Sequence, residues 1–471
     1  MNDLPPGGSH IHLTAICGVG MASLAGLLKA RGYRITGSDQ NIYPPMSTYL
    51  ADIGIPVLSG FRAEHLVPRP DLVVIGNAVS RNNPEAEMVL AQGIEHISFP
   101  QALGRFLIGA RRALVVAGTH GKTTTSALAA WVLTSAGLDP GFFVGGVPLN
   151  FGSGWNAGTG EHVVLEGDEY DTAFFDKGPK FLHYRPRNVI LTSVEFDHAD
   201  IYRDLDHVKS AFAKLIDIIP ADGSLIVCSD YPEAVGVARA VKAHWTTYGE
   251  SGDWTAANIA FDQGRSVFEA CFKGRSEGAV EASLIGRHNV KNALAVYVMG
   301  RSLGIAHDRL VDGFQTFRGV KRRQEVRGEK GGVVVIDDFA HHPTAVRETI
   351  DAVRGAYAGR RLWAIFEPRS NTSKRNVFEK EFAAALALAD MTIVAGVHQP
   401  EKVPEGQRLS VDGLVGEINR VGGAGRALTI ADSTAIADYV ARNTRAGDVL
   451  LVMSNGGFDA VHDKILQSLA G

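Results

Sequence analysis

Val115-Val-Ala-Gly-Thr-His-Gly-Lys-Thr-Thr-Thr125 passes from an apolar segment through two glycines into a Lys-Thr pair that opens a helical pattern. A buried strand, a glycine turn and a helix starting near Lys122 place unpaired backbone N–H groups where they can surround phosphate oxygens. Lys122 supplies a point charge to the terminal phosphates, and Thr123 offers a hydroxyl to Mg²⁺. The common phosphate-loop pattern has glycine at position 116, where this chain has Val116, so the loop is shorter. A turn with a purely structural task does not need Lys-Thr after its glycines. Gly118, Thr119, His120, Gly121, Lys122, Thr123 and Thr124 are therefore read as an ATP site.

Outward from this loop, short apolar runs alternate with amphipathic segments, the pattern of parallel sheets with crossover helices. Before it, strand candidates fall at 10–16, 33–37, 71–76 and 95–98, with a helix over 21–30. Around and after it, 113–117, 163–165, 189–194 and 225–228 read as buried strands. Residues 245–272 alternate like antiparallel strands, and a helix covers 289–303. The charged stretch 318–327 reads as a linker acting as a hinge. Beyond it, 333–336, 362–366, 392–395, 428–430 and 449–452 repeat the strand–helix pattern. The expectation is an α/β chain of three domains at 1–108, 109–324 and 325–471: a Rossmann-like domain, a phosphate-loop ATPase-like domain and a second Rossmann-like domain.

Composition agrees with that organisation. A chain of 471 residues exceeds one ordinary core, and 45% hydrophobic with 21% charged residues is a globular balance. The net charge of −4 gives no reason to expect nucleic acid or an anionic membrane as partner. Three cysteines (Cys17, Cys228 and Cys271) without a C-x-x-C pair argue against a disulfide framework or zinc knuckle, and all three read as buried in apolar runs. The amino terminus lacks a signal pattern, so a cytoplasmic location is expected.

A second glycine loop, Gly18-Val-Gly20, follows the first strand, and Asp39 ends the second. That context suits a nucleotide diphosphate, and it equally suits a plain tight turn, since Ser23 replaces the third glycine of the dinucleotide fingerprint. Polar clusters follow other buried strands: Glu166-Gly-Asp-Glu-Tyr-Asp171, Glu195-Phe-Asp-His198, Asp337-Asp-Phe-Ala-His-His-Pro343, Glu367-Pro-Arg-Ser-Asn-Thr372 and Met453-Ser-Asn-Gly-Gly-Phe458. Open α/β sheets present ligand-facing groups at these carboxyl ends, and carboxylate oxygens suit a hard cation.

Gly118-Thr-His-Gly-Lys-Thr, Glu166, His198, Gly286-Arg-His-Asn-Val-Lys-Asn292, Arg322-Arg323 and Asp338-Phe-Ala-His-His-Pro343 together resemble the Mur ligase family across nearly the whole chain. The resemblance implies an ADP-forming ligase that activates the lactyl carboxylate of UDP-N-acetylmuramate as an acyl phosphate. Catalytic roles would fall to Lys122, Glu166, His198 and Arg323, with Mg²⁺ held by Thr123, Glu166 and His198. Asn289, Asn292, Arg323 and Asp338 would face ATP, while Gly18, Val19, Gly20 and Asp39 would face the UDP-sugar. Four segments (38–47, 169–177, 367–372 and 454–458) look most like the member of the family that attaches L-Ala-γ-D-Glu-meso-diaminopimelate in cell-wall recycling. Arg369, Ser370, Asn371 and Asn455 would then meet the tripeptide, although Arg369 reads equally as a surface ion-pair residue. The rival within the family attaches L-alanine. An NAD-dependent oxidoreductase built on Gly18–Asp39 and a nucleotide-sensing module are the rivals outside it. Where several Mur ligases carry a carbamylated lysine, the matching position is Phe212, so that modification is not expected.

Overall fold

The computed structural model describes residues 4–262 and 264–469. They form two compact units. One holds residues up to 195 with 205–255 and 295–313; the other holds 196–204, 256–294 and the chain from 314 onward.

In the first unit, β1 (His10–Thr14), β2 (Arg34–Asp39), β3 (Val57–Ser59), β4 (Leu72–Ile75) and β5 (His96–Ser98) form a parallel sheet ordered β3-β2-β1-β4-β5. The chain reverses its direction of winding at β1, which opens a crevice at the carboxyl end of that strand. The helix after β1 spans Val19–Ala30 with Gly18 as its N-cap, so it starts earlier than its apolar periodicity predicts. Cys17 is half-buried in the turn before it rather than fully inside a strand.

β1 also carries polar side chains into the core. One carboxylate oxygen of Glu85, at the start of helix Pro84–Ala91, accepts from Thr14 Oγ1 at 2.8 Å and Ser38 Oγ at 2.7 Å, and lies 3.3 Å from His12 Nε2. The other oxygen faces His65 Nδ1 at 2.9 Å. Glu85 has no solvent exposure. Burial alone would raise its pKa, but the bonds from His12, Ser38 and His65 outweigh it and bring the carboxyl from 4.5 to about 2.

A second sheet of this unit contains β6 (Arg112–Ala117), β7 (Gly141–Phe143), β8 (Trp155–Asn156) and β9 (His162–Gly167). After a small hairpin of β10 (Asp171–Ala173) and β11 (Asp176–Pro179), it continues with β12 (Pro186–Leu191), β13 (Ser224–Cys228) and β14 (His244–Tyr248). The strand order is β14-β13-β12-β6-β9-β7-β8, parallel except at β8. β6 is therefore central and apolar on both faces, as its sequence requires. The two sheets meet where Gly26 lets its helix approach Tyr49 and Trp155: a Cβ there would lie 2.1 Å from the Tyr49 hydroxyl. Trp155 Nε1 donates to that hydroxyl at 3.1 Å.

The antiparallel reading of 245–272 holds only for its later part. β14 pairs in parallel with β13, and Tyr248 pairs in parallel with the first residue of β15 (Trp254–Asp262). Antiparallel pairing joins β16 (Arg265–Phe272) to β17 (Arg275–Ala282). Alternation reports one solvated face and says nothing of strand direction, which is why the sequence misleads here.

In the second unit, β18 (Glu325–Lys330), β19 (Val333–Asp338), β20 (Leu362–Phe366), β21 (Met391–Val394), β22 (Ala427–Thr429) and β23 (Val449–Met453) form a sheet ordered β18-β19-β23-β20-β21-β22. All pairs are parallel except β18 with β19. Apolar clusters cover both faces, one built around Ile350, Phe382 and Leu386, the other around Trp363, Ile436 and Val461. The charged stretch 318–327 is irregular only to Gln324. Its last residues begin β18, whose charges mark a solvated sheet edge. Among the described residues no helix is long and apolar enough to cross a membrane.

Glu85→Gln should lower the unfolding free energy by about 3 kcal/mol, because the buried His and hydroxyl partners lose their anionic acceptor. A depressed carboxyl pKa stabilises fully above its unfolded value near 4.5 and loses that contribution as pH falls toward 2. Denaturant midpoints measured between about pH 5 and pH 3 should fall steeply for the natural chain and less steeply for the variant.

Candidate active site

Parallel pairing sets Ala117 of β6 beside Gly167 of β9 and Leu191 of β12. The residues just past those strands therefore emerge together. Gly118, at φ 132°, turns the chain at once; a Cβ there would come within 2.2 Å of Thr192 Oγ1. The tail of β12 then clamps the loop. Thr119 N donates to Ser193 O at 3.1 Å, His120 N to Ser193 Oγ at 2.8 Å, and Thr192 Oγ1 to His120 O at 2.6 Å. Glu195 adds an N–H bond to Thr119 Oγ1 at 2.9 Å and a carboxylate contact to His120 Nε2 at 2.6 Å. Two of the N–H groups that the sequence offers to phosphate are thus committed to the fold. Helix Lys122–Ser135 begins after Gly121, at φ 77°, and its first i→i−4 bond comes from Thr125 N. The N–H groups of Lys122, Thr123 and Thr124 precede that bond and face an anion's position.

Lys122 Nζ donates to Gly118 O at 2.6 Å and to both oxygens of Glu169 at 2.9 and 3.1 Å. Burial acts to lower its pKa, but Glu169, Asp168 and Glu166 outweigh that effect and keep it raised, so the ammonium stays charged. Beside it, Thr123 Oγ1 donates to Glu166 Oε1 at 2.9 Å, while Glu166 Oε2 accepts Gly145 N at 2.8 Å. A hydroxyl and a carboxylate oxygen in contact are hard donors of the kind Mg²⁺ takes alongside water and phosphate oxygens. The donor set fits that ion.

His198 lies in the second unit, in the segment 196–204. It adopts φ 54°, and its N–H donates to Asp197 Oδ1 at 2.6 Å, the atom that also accepts Thr372 Oγ1 at 2.6 Å. Burial would raise the Asp197 pKa, yet the imidazoles of His198, His341 and His342 and the Thr372 hydroxyl hold it far below the usual carboxylate range. Two more bonds secure the segment: Asn371 Nδ2 donates to Asp200 Oδ2 at 2.9 Å, and His342 Nε2 lies 3.2 Å from Phe196 O. His342 also caps helix Pro343–Ala356 through Nδ1, which accepts Thr344 N at 3.3 Å.

The residues that the resemblance assigns to ATP in this unit form one network. Asn292 Nδ2 donates to Asn289 Oδ1 at 3.1 Å, and Asn289 Nδ2 donates to Gln324 Oε1 at 3.1 Å. Asp338 accepts Gln324 N at 2.8 Å and Ala340 N at 2.7 Å, so its buried carboxylate ties the linker to the end of β19. Arg323 packs over the Phe339 ring at 4.6 Å, and Arg322 donates to the carbonyls of Ser454 and Gly456, both at 2.6 Å.

At the end of β20, Arg369 lies against Gly456 and contacts Glu367 at 3.4 Å. Glu367 in turn accepts Ser454 Oγ at 2.5 Å. Ser370 bonds Ser373 Oγ at 2.9 Å, and Asn455 Oδ1 is buried with no hydrogen-bond partner among the described residues. In the first unit, Asp39 takes Cys17 N and Asn41 N, each at 2.9 Å, and so holds the turn that leads into Gly18, Val19 and Gly20. Phe212 is fully buried and stacks on Phe181, which leaves no lysine at that position. The sequence placed Glu195, Asp197 and Thr372 in clusters at strand ends without giving any of them a role of its own, and it did not single out Ser193. Their one legible signal was position at the end of a buried strand.

Three family models match this chain in succession: "Mur ligase family, catalytic domain" at residues 10–111, "Mur ligase middle domain" at 116–300 and "Mur ligase, glutamate ligase domain" at 322–456. The chain is 42% identical, over 98% of both lengths, to UDP-N-acetylmuramate--L-alanyl-gamma-D-glutamyl-meso-2,6-diaminoheptandioate ligase of Escherichia coli (strain K12). It is 36% identical to UDP-N-acetylmuramate--L-alanine ligase of Salinibacter ruber, over 84% of this chain and 81% of that one. The crystal structure of a murein peptide ligase from Psychrobacter arcticus 273-4 superposes with a TM-score of 0.72 at 36% identity, covering 98% of this chain and 99% of that one. Sequence order, sheet architecture and phosphate-loop geometry therefore agree, and the chain belongs to the Mur ligase family.

Proposed function

We propose that this chain is an ADP-forming ligase joining the lactyl carboxylate of UDP-N-acetylmuramate to the amino group of L-Ala-γ-D-Glu-meso-diaminopimelate. The observation that carries the reading is the phosphate loop. It is already folded and clamped, with Lys122 charged and the Thr123–Glu166 oxygens adjacent. Identity of 42% to a relative named for that tripeptide, against 36% to one named for L-alanine, favours the peptide. Domain 1–108 would take the UDP-sugar at Gly18, Val19 and Gly20, with Asp39 bracing the turn. Domain 109–324 would take ATP, and domain 325–471 the peptide at Arg369, Ser370, Asn371 and Asn455.

In the reaction, a lactyl carboxylate oxygen attacks the γ-phosphorus of ATP and ADP leaves. The L-alanine nitrogen then attacks the acyl carbon, phosphate departs and the nitrogen loses a proton. Lys122 and the first-turn N–H groups of its helix would stabilise charge on the transferring phosphoryl group. Arg323 would add a second cation. Thr123, Glu166 and His198 would hold Mg²⁺, which supplies charge neutralisation at the phosphates. Asn289 and Asn292 would face the nucleotide, with Asn292 the better candidate for the adenine. Arrival of phosphate gives Lys122 a second acceptor set in competition with Glu169.

ADP release should require UDP-N-acetylmuramate, tripeptide and Mg²⁺ together. L-Alanine should not replace the tripeptide; turnover with L-alanine and none with tripeptide would overturn the peptide assignment. Lys122→Met should lower kcat/KM by about 10³-fold or more. Because that change leaves Glu169 buried without its cation, the double variant Lys122→Met/Glu169→Gln separates folding from chemistry. It should recover stability and not activity. Thr123→Val should raise the Mg²⁺ concentration for half-maximal rate by about tenfold.

A further inference from the structure

Lys374 follows the Arg369–Thr372 segment past the end of β20 and is 4% exposed. Its backbone is held on both sides, donating to Ser370 O at 3.1 Å and accepting Leu409 N at 2.9 Å. Its ammonium makes no hydrogen bond and no ion pair among the described residues. The charges around it are mainly of its own sign. Burial, then Lys402, Arg369 and Arg375, lower its pKa, and Glu401 opposes them. His398 shares this field: burial and the cations of Arg369, Lys374 and Lys402 lower its pKa against Glu367.

The remaining polar groups do not relieve this charge. Glu367 accepts from Ser454 and Arg369, and Arg375 is bonded to Gln407. A lysine with a largely buried side chain, set among Lys402, Arg369 and Arg375 with Glu401 opposing them, gains a counter-charge when an anion enters. Two further features suit a peptide carrying both charges. Arg369 is pressed flat by Gly456, where a Cβ would come 1.9 Å from its Nε, and that fixes its planar donors. Asn455, next to Gly456, holds a buried acceptor oxygen that lacks a donor among the described residues.

We infer that Lys374 is a specificity-determining residue that pairs with a carboxylate of the acceptor peptide, alongside Arg369. The inference rests on the ligase reading above and adds a residue to its peptide site. Removing the ammonium should weaken peptide binding while relieving the free protein.

The test compares the full chain with Lys374→Met in the ADP-release assay and in thermal unfolding without ligands. The variant should raise KM for the tripeptide about tenfold or more. Its kcat should stay within about threefold, and KM for ATP and UDP-N-acetylmuramate should not change. Its Tm should equal or exceed that of the natural chain, because the repulsion from Lys402, Arg369 and Arg375 has gone. An unchanged peptide KM, or a lower Tm with all three KM values raised, would overturn the inference. Peptides that each lack one carboxylate (isoglutamine for glutamate, lysine for diaminopimelate) close the cycle. The natural chain should penalise one of them, and Lys374→Met should not; a penalty that survives the substitution for every peptide counts against it. If the natural chain fails to ligate tripeptide at all, the ligase reading fails separately. Calorimetric titration with free meso-diaminopimelate then decides Lys374: heat lost in the variant supports it, and equal heat or none in both proteins rejects it.

Discussion

The hydrogen-bond register that places β6 between β9 and β12 governs the chemistry of the first unit. Parallel strands in that register end at the same height, so the loop after Ala117 meets Glu166 on one side and Thr192–Glu195 on the other. From one side comes a carboxylate for Thr123; from the other come the Ser193 and Thr192 bonds that fix Thr119 and His120. A shift of one residue would turn the buried Val and Leu side chains outward as well as separating these groups. Core packing and site geometry are therefore enforced by the same apolar residues.

Lys122 illustrates how such a site is kept ready. Its ammonium is desolvated, and it remains charged because Glu169 lies on it and acidic neighbours add their field. A lysine held in this way is charged and placed before an anion arrives, and only its choice of acceptor then changes. The second unit uses the same device with reversed sign. Asp197, surrounded by three imidazoles and the Thr372 hydroxyl, stays ionised although buried, and it braces the His198 backbone in the left-handed region. Lys374 differs from both because the charges around it are mainly of its own sign.

Sequence periodicity located the buried strands well, since a strand covered on both faces must be continuously apolar. It was weaker where burial is one-sided. The stretch 245–272 alternates whether its strands run parallel or antiparallel, and the charges of 325–327 conceal an edge strand. The short strands β3, β7 and β8 carry too few residues to show a period. Among the site residues, glycine and lysine in the phosphate loop were legible because few other tasks need them in that order. Ser193 and Asp197 were not, because a serine or aspartate after a strand is common and its partner lies far away in the chain.

Taken alone, the sequence determined that this chain carries a phosphate-loop motif, which motifs carry the resemblance to the Mur ligases, and where most buried strands run. Those features are local: a glycine turn, a Lys-Thr pair and an apolar run each state their chemistry within a few residues. The tertiary structure decided which groups are already committed and which are not. It assigned the N–H groups of Thr119 and His120 to the fold, made His342 a helix cap, and set Asp338 to hold the linker. It also showed Lys374 buried among cations. These are matters of desolvation and partner distance, which depend on residues brought together from separate strands, and no stretch of sequence contains them.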